Sequence, residues 1–311
     1  MRRILVTPRS LTASPHPAVE RIRQRGYDPV YCTPGKMPDE AELIRLVPGS
    51  IGWLAGVEPI SEAVISAARD LRAISRNGTG VDNLPMSALA ARGIVVRKAE
   101  GANAHGVAEL TIGLTLAALR HVPFADAGIK AGKWPRRIGR EIRGRTFGVV
   151  GVGAVGREAA RLATALGAKV LAYDPLRPPV DETLREAVRW VDLGTLLAES
   201  EIVSLHCPAP ANGRPMIGAN EFDAFPAGAV LVNTARAALV DEGALLAALE
   251  SGQVDVYATD VFAEEPPKDL TLAGHDRVIA VSHIGGFTTE SVERATTAAV
   301  ANLLEVLEGA S

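Results

Sequence analysis

Cysteine is nearly absent, with only Cys32 and Cys207 in 311 residues. A disulfide framework in a secreted chain needs more than two, so two reduced thiols in a cytosolic protein are expected. Neither cysteine belongs to a Cys-x-x-Cys or paired-histidine pattern, and no metal is expected. Basic tracts and acidic tails are missing too. A net charge of −3 and a pI near 6.1 argue against nucleic acid as a partner, because phosphate backbones draw in basic surfaces. Long apolar runs are also lacking. The first residues, Met1 to Thr7, reach Pro8 after a short apolar stretch, whereas a signal peptide needs a longer one and a membrane span roughly 20 residues. The most apolar segment, Leu110 to Leu119, is interrupted by Thr111, Gly113 and Thr115 and reads as a buried helix. The expectation is a cytoplasmic globular protein with no membrane partner.

The remaining composition, 47% hydrophobic and 22% charged, suits a sizeable core, and 311 residues leave room for about two domains. Short apolar runs alternate with helical patterns. Ile4–Thr7, Pro29–Cys32, Ile51–Ala55, Leu71–Ser75 and Ile94–Val96 read as strands, with helices such as Pro17–Arg25, Ser61–Ala68 and Met86–Arg92 between them. A second series follows Gly144: Phe147–Val150, Lys169–Tyr173, Ile202–Leu205, Ala229–Asn233, Val256–Asp260 and Val278–Val281. Strands separated by helices imply parallel pairing, and nearly continuous apolar character implies sheets covered on both faces. The fold class is therefore α/β, with two doubly wound parallel-sheet domains. A helix from about Asn103 to Arg120 leads into the second domain, and the last helix, about Thr289 to Leu307, is expected to return to the first. Segment Lys130 to Arg145 lacks periodicity; it reads equally as an arm on a partner subunit or as a solvated loop.

The strongest local signal is Gly151-x-Gly153-x-x-Gly156, which follows an apolar strand and opens an alanine-rich helix through Ala154 and Val155. Gly151 permits a tight turn, Gly153 lets backbone approach a pyrophosphate, and Gly156 allows close packing. The helix N-terminus offers free N–H groups and partial positive charge. The glycines alone could mark an ordinary strand-to-helix turn. Asp174 weighs against that, since it ends the next strand about 20 residues on, where a carboxylate accepts from a ribose 2′-OH. It would repel a 2′-phosphate. Arg177 lies beyond Pro175, so NAD is expected rather than NADP.

Three further segments sit at strand ends: Asn233 to Arg236, Asp260 to Pro267, and Ser282 to Gly286. An arginine fork at Arg236 can bind a carboxylate and polarise the adjacent carbonyl. A histidine at 283 can exchange a hydroxyl proton while nicotinamide exchanges hydride. A carboxylate beside it stabilises the imidazolium, and Glu265 suits that role better than Glu264. Singly, Arg236 could pair with Asp241, Glu265 could be a surface charge, and His283 a core histidine. Their joint placement favours chemistry on a 2-hydroxy acid.

These motifs resemble the D-isomer-specific 2-hydroxyacid dehydrogenase family, and most closely its phosphoglycerate dehydrogenase branch. The likeness includes Asn77-Gly78-Thr79-Gly80-Val81-Asp82-Asn83, Asn103 with Val107-Ala108-Glu109, His206-Cys207-Pro208, Asn233-Thr234-Ala235-Arg236 and His283-Ile284-Gly285-Gly286. It implies a flavodoxin-like substrate domain, residues 1–101 and 287–311, and a Rossmann NAD-binding domain, residues 102–286. Arg236, Glu265 and His283 would be catalytic. Substrate would meet Arg76, Thr79, Gly80 and Asn103, with the Thr79–Gly80 backbone gripping its carboxylate. Cofactor contacts would come from Gly151, Gly153, Ala154, Val155, Gly156, Asp174, Pro175, Cys207, Pro208, Thr234, Ala235, Asp260, Gly285 and Gly286, with Asp260 on the carboxamide. The resemblance also implies a homodimer.

Oxidation of 3-phosphoglycerate is the first expectation, since Arg76 matches an arginine facing the substrate's phosphate end. Reduction of glyoxylate, hydroxypyruvate or another 2-keto acid is the alternative, and an NAD-sensing binding protein a remote one. Glu265 speaks against the related formate dehydrogenases, which carry glutamine there. Three features depart from the pattern. The chain ends at Ser311, so serine feedback through C-terminal regulatory domains is not expected. Gly213 stands where many members have threonine, and the loop Arg97 to Ala102 differs from the usual one.

Overall fold

The computed structural model describes residues 2–14, 16–210 and 212–309. The chain divides into two compact units, Met1–Asn103 with Thr289–Ser311, and Ala104–Thr288.

In the first unit the strands are β1 (Arg2–Val6), β2 (Tyr27–Tyr31), β3 (Ser50–Ala55), β4 (Ala73–Arg76) and β5 (Val95–Lys98). All are parallel, in the order β2-β1-β3-β4-β5. Successive side chains of a strand point to opposite faces, so β1 feeds two cores. Ile4 and Val6 join Leu54 and the helix residues Leu303, Leu304 and Leu307. Leu5 joins Trp53, Ile74, Val64 and Ile65 on the other side. The helix Thr289–Glu308 is therefore part of this unit, which makes the unit discontinuous in sequence. It approaches the sheet at Gly52, where a Cβ would lie 2.8 Å from Leu307 Cδ1.

The second unit holds β6 (Thr146–Val150), β7 (Lys169–Tyr173), β8 (Val188–Trp190), β9 (Ile202–Leu205), β10 (Ala229–Asn233), β11 (Val254–Thr259) and β12 (Val278–Ala280). They form one parallel sheet in the order β12-β11-β10-β9-β6-β7-β8. The sheet grows one way from β6 to β8, then returns to the other side of β6 with β9. Ligands bind outside the carboxyl ends of such strands, at that reversal. The register aligns Tyr173, Val150, Leu205, Asn233, Thr259 and Ala280 in one row across the sheet. Every β9 and β10 residue is buried, because both faces carry helices.

Strand β8 and the helices Arg9–Ala13 and Val122–Lys130 go beyond the sequence expectations. Between Lys130 and Thr146 the chain has no helix or strand. Pro135 packs where a Cβ on Gly128 would sit, and Arg137 stacks 3.7 Å from the Phe124 ring. Cys32 and Cys207 are free thiols. No group of metal-ligating side chains is present among the described residues. Among them, no single helix is long and apolar enough to cross a membrane.

Candidate active site

Immediately beyond the aligned row, each of its six strands delivers one part of a site. Strand β6 runs into Gly151, whose φ of +92° suits glycine. A Cβ there would lie 2.8 Å from the His206 carbonyl carbon, and one on Gly156 would collide with the Gly151 carbonyl. At Gly153 nothing lies within 4 Å of the Cβ position. The helix Ala154–Ala165 starts there with no side chain capping it, so its first N–H groups and the positive end of its dipole face open space. The turn is closed where the fold needs packing and open where a pyrophosphate would rest, and it fits a dinucleotide.

After β7 comes Asp174. Its Oδ2 accepts the Val152 amide at 2.9 Å and its Oδ1 the Leu176 amide at 2.9 Å. These bonds fix the carboxylate beside the glycine turn with lone pairs left for a ribose. Pro175 and Arg177 are exposed, the latter at a φ of +42°.

After β9, His206 donates its backbone N–H to Val150 O, and its Nε2 lies 2.8 Å from Ser204 Oγ. Burial pushes its ring down to about 4. Burial likewise pushes the neighbouring Cys207 thiol up to about 11, while Pro208 is exposed. After β10, Asn233 is buried and organises the turn that carries Thr234, Ala235 and Arg236. Its Oδ1 accepts the Ala235 amide at 3.1 Å and its Nδ2 donates to the Arg236 carbonyl at 2.9 Å. Thr234 Oγ1 pairs with Thr111 Oγ1 at 2.9 Å, and Arg236 is half-buried. Asp241 caps the next helix by accepting the Ala244 amide.

Beyond β11 and β12 the charged groups meet. His283 Nδ1 lies 2.7 Å from Glu265 Oε2, and the Phe262 amide donates to Glu265 Oε1 at 3.1 Å. Glu264 instead pairs with Lys268. The His283 backbone takes a φ of +54°, a conformation costly enough to need support. Asp260, only 2% exposed, supplies it: Oδ1 accepts the Ile284 amide at 2.6 Å and Oδ2 the Gly285 amide at 2.8 Å. Burial raises the Asp260 carboxyl, against the pull of these amides and of His283. Gly285 is confined, since a Cβ would sit 2.9 Å from Asp260 Oδ2; Gly286 is half-buried.

In the first unit Thr79 and Gly80 are half-buried in the turn after β4, and Asn103 is half-buried at the unit's edge. The Asn77 amide donates to Ala55 O, and Gly78 O accepts the Ala99 amide, which anchors both sides of the turn. Arg76 is only 6% exposed, and its guanidinium underlies Gly78. Sequence reasoning missed Glu58, buried near this arginine, because a lone acid before a proline carries no pattern. It also missed the Phe262 and Val152 amides, which no side-chain signal could reveal.

The model for the NAD-binding domain of D-isomer specific 2-hydroxyacid dehydrogenases matches residues 112–285. A hydroxypyruvate reductase of Thermotoga maritima is 37% identical over 262 residues, 82% of this chain and 84% of that protein. A D-3-phosphoglycerate dehydrogenase of Archaeoglobus fulgidus is 41% identical over 254 residues, 80% of this chain, which spans only 48% of that relative. An NAD+-bound 3-phosphoglycerate dehydrogenase structure from Entamoeba histolytica superposes with a TM-score of 0.83, at 27% identity, over 100% of this chain and 96% of that one. The chain belongs to the D-isomer-specific 2-hydroxyacid dehydrogenases, NAD-dependent oxidoreductases acting on the CH–OH group of 2-hydroxy acids.

Proposed function

We propose that this enzyme interconverts a small unphosphorylated 2-keto acid, of the hydroxypyruvate or glyoxylate kind, and its D-2-hydroxy acid. The observation that carries the chemistry is the 2.7 Å contact between His283 and Glu265 on the strand edge that holds the glycine turn. Bound NAD supplies or takes the hydride at the substrate's C2. His283, with Nδ1 held by Glu265, presents Nε2 as the proton donor to the carbonyl oxygen, and takes the proton back in oxidation. The assignment of the Nδ1 proton follows from the carboxylate partner. Glu265 offsets the imidazolium charge, and its own second oxygen is fixed by the Phe262 amide. The Arg236 guanidinium is suited to a substrate carboxylate and carbonyl. Within the first unit, the amides of Thr79 and Gly80 form a turn suited to an anion. Asp260 orients the loop of His283 and is placed for the nicotinamide carboxamide.

Burial of Arg76 supports the unphosphorylated class. A guanidinium 6% exposed beneath a backbone turn serves that turn rather than a mobile phosphate. The 41% identical phosphoglycerate dehydrogenase keeps 3-phosphoglycerate as the second reading. Steady-state rates of NADH oxidation with glyoxylate, hydroxypyruvate and 3-phosphohydroxypyruvate separate the two. The first reading expects kcat/KM for hydroxypyruvate or glyoxylate to exceed that for the phosphorylated acid by about tenfold or more, roughly one lost charge-assisted contact. The reverse order would establish the second.

The reading extends to a cytoplasmic homodimer. The helices Ala104–Leu119 and Val122–Lys130 share an apolar groove lined by Gly113, Leu116, Val122, Ala125 and Ile129. Trp134 and Ile138 add exposures of 76% and 98% on the following segment. A second copy of this surface would cover it. Light scattering on Val122→Glu/Ile129→Glu should give half the wild-type mass; an unchanged mass would move the interface elsewhere.

A further inference from the structure

Tyr257 is an enclosed phenol in the middle of β11, 2% exposed. Its ring packs in a cluster with Leu231, Leu245 and Leu249. The strand holds it firmly. The Tyr257 amide donates to the Arg277 carbonyl at 3.0 Å, and in register Leu231 of β10 lies on one side and Val278 of β12 on the other. Burial raises the phenol, which therefore stays neutral. A hydroxyl buried this deeply is costly without a partner. Its partner is Asn233, whose Nδ2 donates to the Tyr257 hydroxyl oxygen at 3.3 Å. Asn233 and Leu231 are two residues apart on β10 and share a face, so the ring beside Leu231 reaches along the sheet toward Asn233.

The side-chain amide of Asn233 offers two N–H groups and one carbonyl oxygen, and each is engaged. One N–H goes to Tyr257, the other to the Arg236 carbonyl at 2.9 Å, and the oxygen accepts the Ala235 amide at 3.1 Å. Of these three partners, Tyr257 alone lies outside the turn. Arg236 Nη1 in its turn donates to the Ala235 carbonyl at 2.7 Å. Hydrogen bonds and the short turn therefore lead from the phenol to the guanidinium. The main chain of Asn233 has a separate task, since its carbonyl accepts the Asp260 amide at 3.0 Å.

We infer that Tyr257 is a positioning residue for the Arg236 guanidinium, its hydroxyl fixing the Asn233 side chain and thereby the turn that carries the arginine. The inference rests on the proposed role of Arg236 toward the substrate carboxylate. A bidentate contact demands a defined direction of the guanidinium fork, and a turn held only by its own residues would not set one. The ring supplies a fixed point in the sheet, because packing and the strand leave it one position. Without the hydroxyl, one Asn233 N–H is buried with no acceptor, and the amide gains by rotating away from the turn. No proton or electron is transferred in this role.

The test is Tyr257→Phe, which keeps the ring in its cluster and removes one oxygen. Hydrogen exchange of the Ala235 amide, measured without substrate, should speed up about tenfold, while the Asp260 amide, bound to the Asn233 main chain, stays within about twofold of wild type. KM for the preferred keto acid should rise about fivefold, with kcat and the NADH dissociation constant within about twofold. Asn233→Ser removes both donors, and adding Tyr257→Phe to it should raise KM no further. Wild-type exchange at Ala235 overturns the inference, as does a further fivefold rise in the double variant, which would show the hydroxyl acting by another route. Failure of Tyr257→Phe to fold, or equal acceleration at Ala235 and Asp260 with losses in every kinetic readout, marks a merely structural hydroxyl and overturns it too. Faster exchange at Ala235 alone with a wild-type KM upholds the positioning of the turn and removes Arg236 from the substrate. If the wild type turns over no acid in the panel, the keto-acid reading fails, and the exchange comparison still decides the role of Tyr257.

Discussion

The two units handle charge in opposite ways. Beside and beneath the turn after β4, Glu58 and Arg76 are 1% and 6% exposed, and Glu58 is pinned by the Gly56 amide and the Thr7 hydroxyl. Beyond β11 and β12, the side chains of His283 and Glu265 are 54% and 38% exposed and held by a single contact to each other. A buried, hydrogen-bonded charge loses much if it moves and gains nothing from solvent, so it serves geometry. An open pair can trade protons, and the rigidity it needs comes from backbone: Phe262 holds the glutamate, and Asp260 holds the loop of the histidine. His206 makes the same point on the same edge. It is a histidine too, but burial drives its ring down to about 4, which makes it a poor proton carrier near neutrality.

The largest expected effect therefore belongs to the open pair. His283→Gln should lower kcat by about 10²–10⁴-fold with NADH affinity unchanged in a fluorescence titration, the span of a lost general acid. A kcat within tenfold of wild type would place the proton elsewhere. Glu265→Gln should cost less, about 10–10²-fold in kcat, because the histidine remains but its partner charge is gone. Asp174→Ala should weaken NADH binding by about tenfold or more and narrow its lead over NADPH; an unchanged ratio of the two dissociation constants would remove Asp174 from the ribose.

The smallest effect concerns stability. His206 has a folded-state value of about 4 against 6.5 for the free side chain, so the unfolded chain binds more protons between them. Its contribution is full above pH 6.5 and is lost as pH falls toward 4, about 3 kcal/mol in all. Urea unfolding of His206→Asn should lack this slope; the same acid sensitivity as wild type would show that other groups cause it.

Much of this was legible in the sequence, for physical reasons. Strands β7, β9 and β10 match the expected residues to the end, because continuous apolar runs buried on both faces have sharp limits. The last helix, which follows the last strand, was expected to return to the first unit, and it packs there; Glu265 rather than Glu264 lies on His283. Strand β8 left little signal, being three residues long with Arg189 exposed in the middle. The helix Val122–Lys130 was hidden by His121, whose φ of +51° turns the chain between two helices, and by Pro123 in its first turn. Arg76 was legible as a charge near the turn after β4 but not as a buried one. Its burial comes from the turn that folds over it, where its guanidinium underlies Gly78, and no local pattern records that packing.

The central claim is that His283 and Glu265 act as one unit, and a double-mutant cycle on kcat tests it directly. With His283→Gln in place, adding Glu265→Gln should lower kcat by no more than about twofold further, since the carboxylate then has no imidazolium to stabilise. If the two losses multiply instead, the glutamate works independently of the histidine, and the account of the site is wrong.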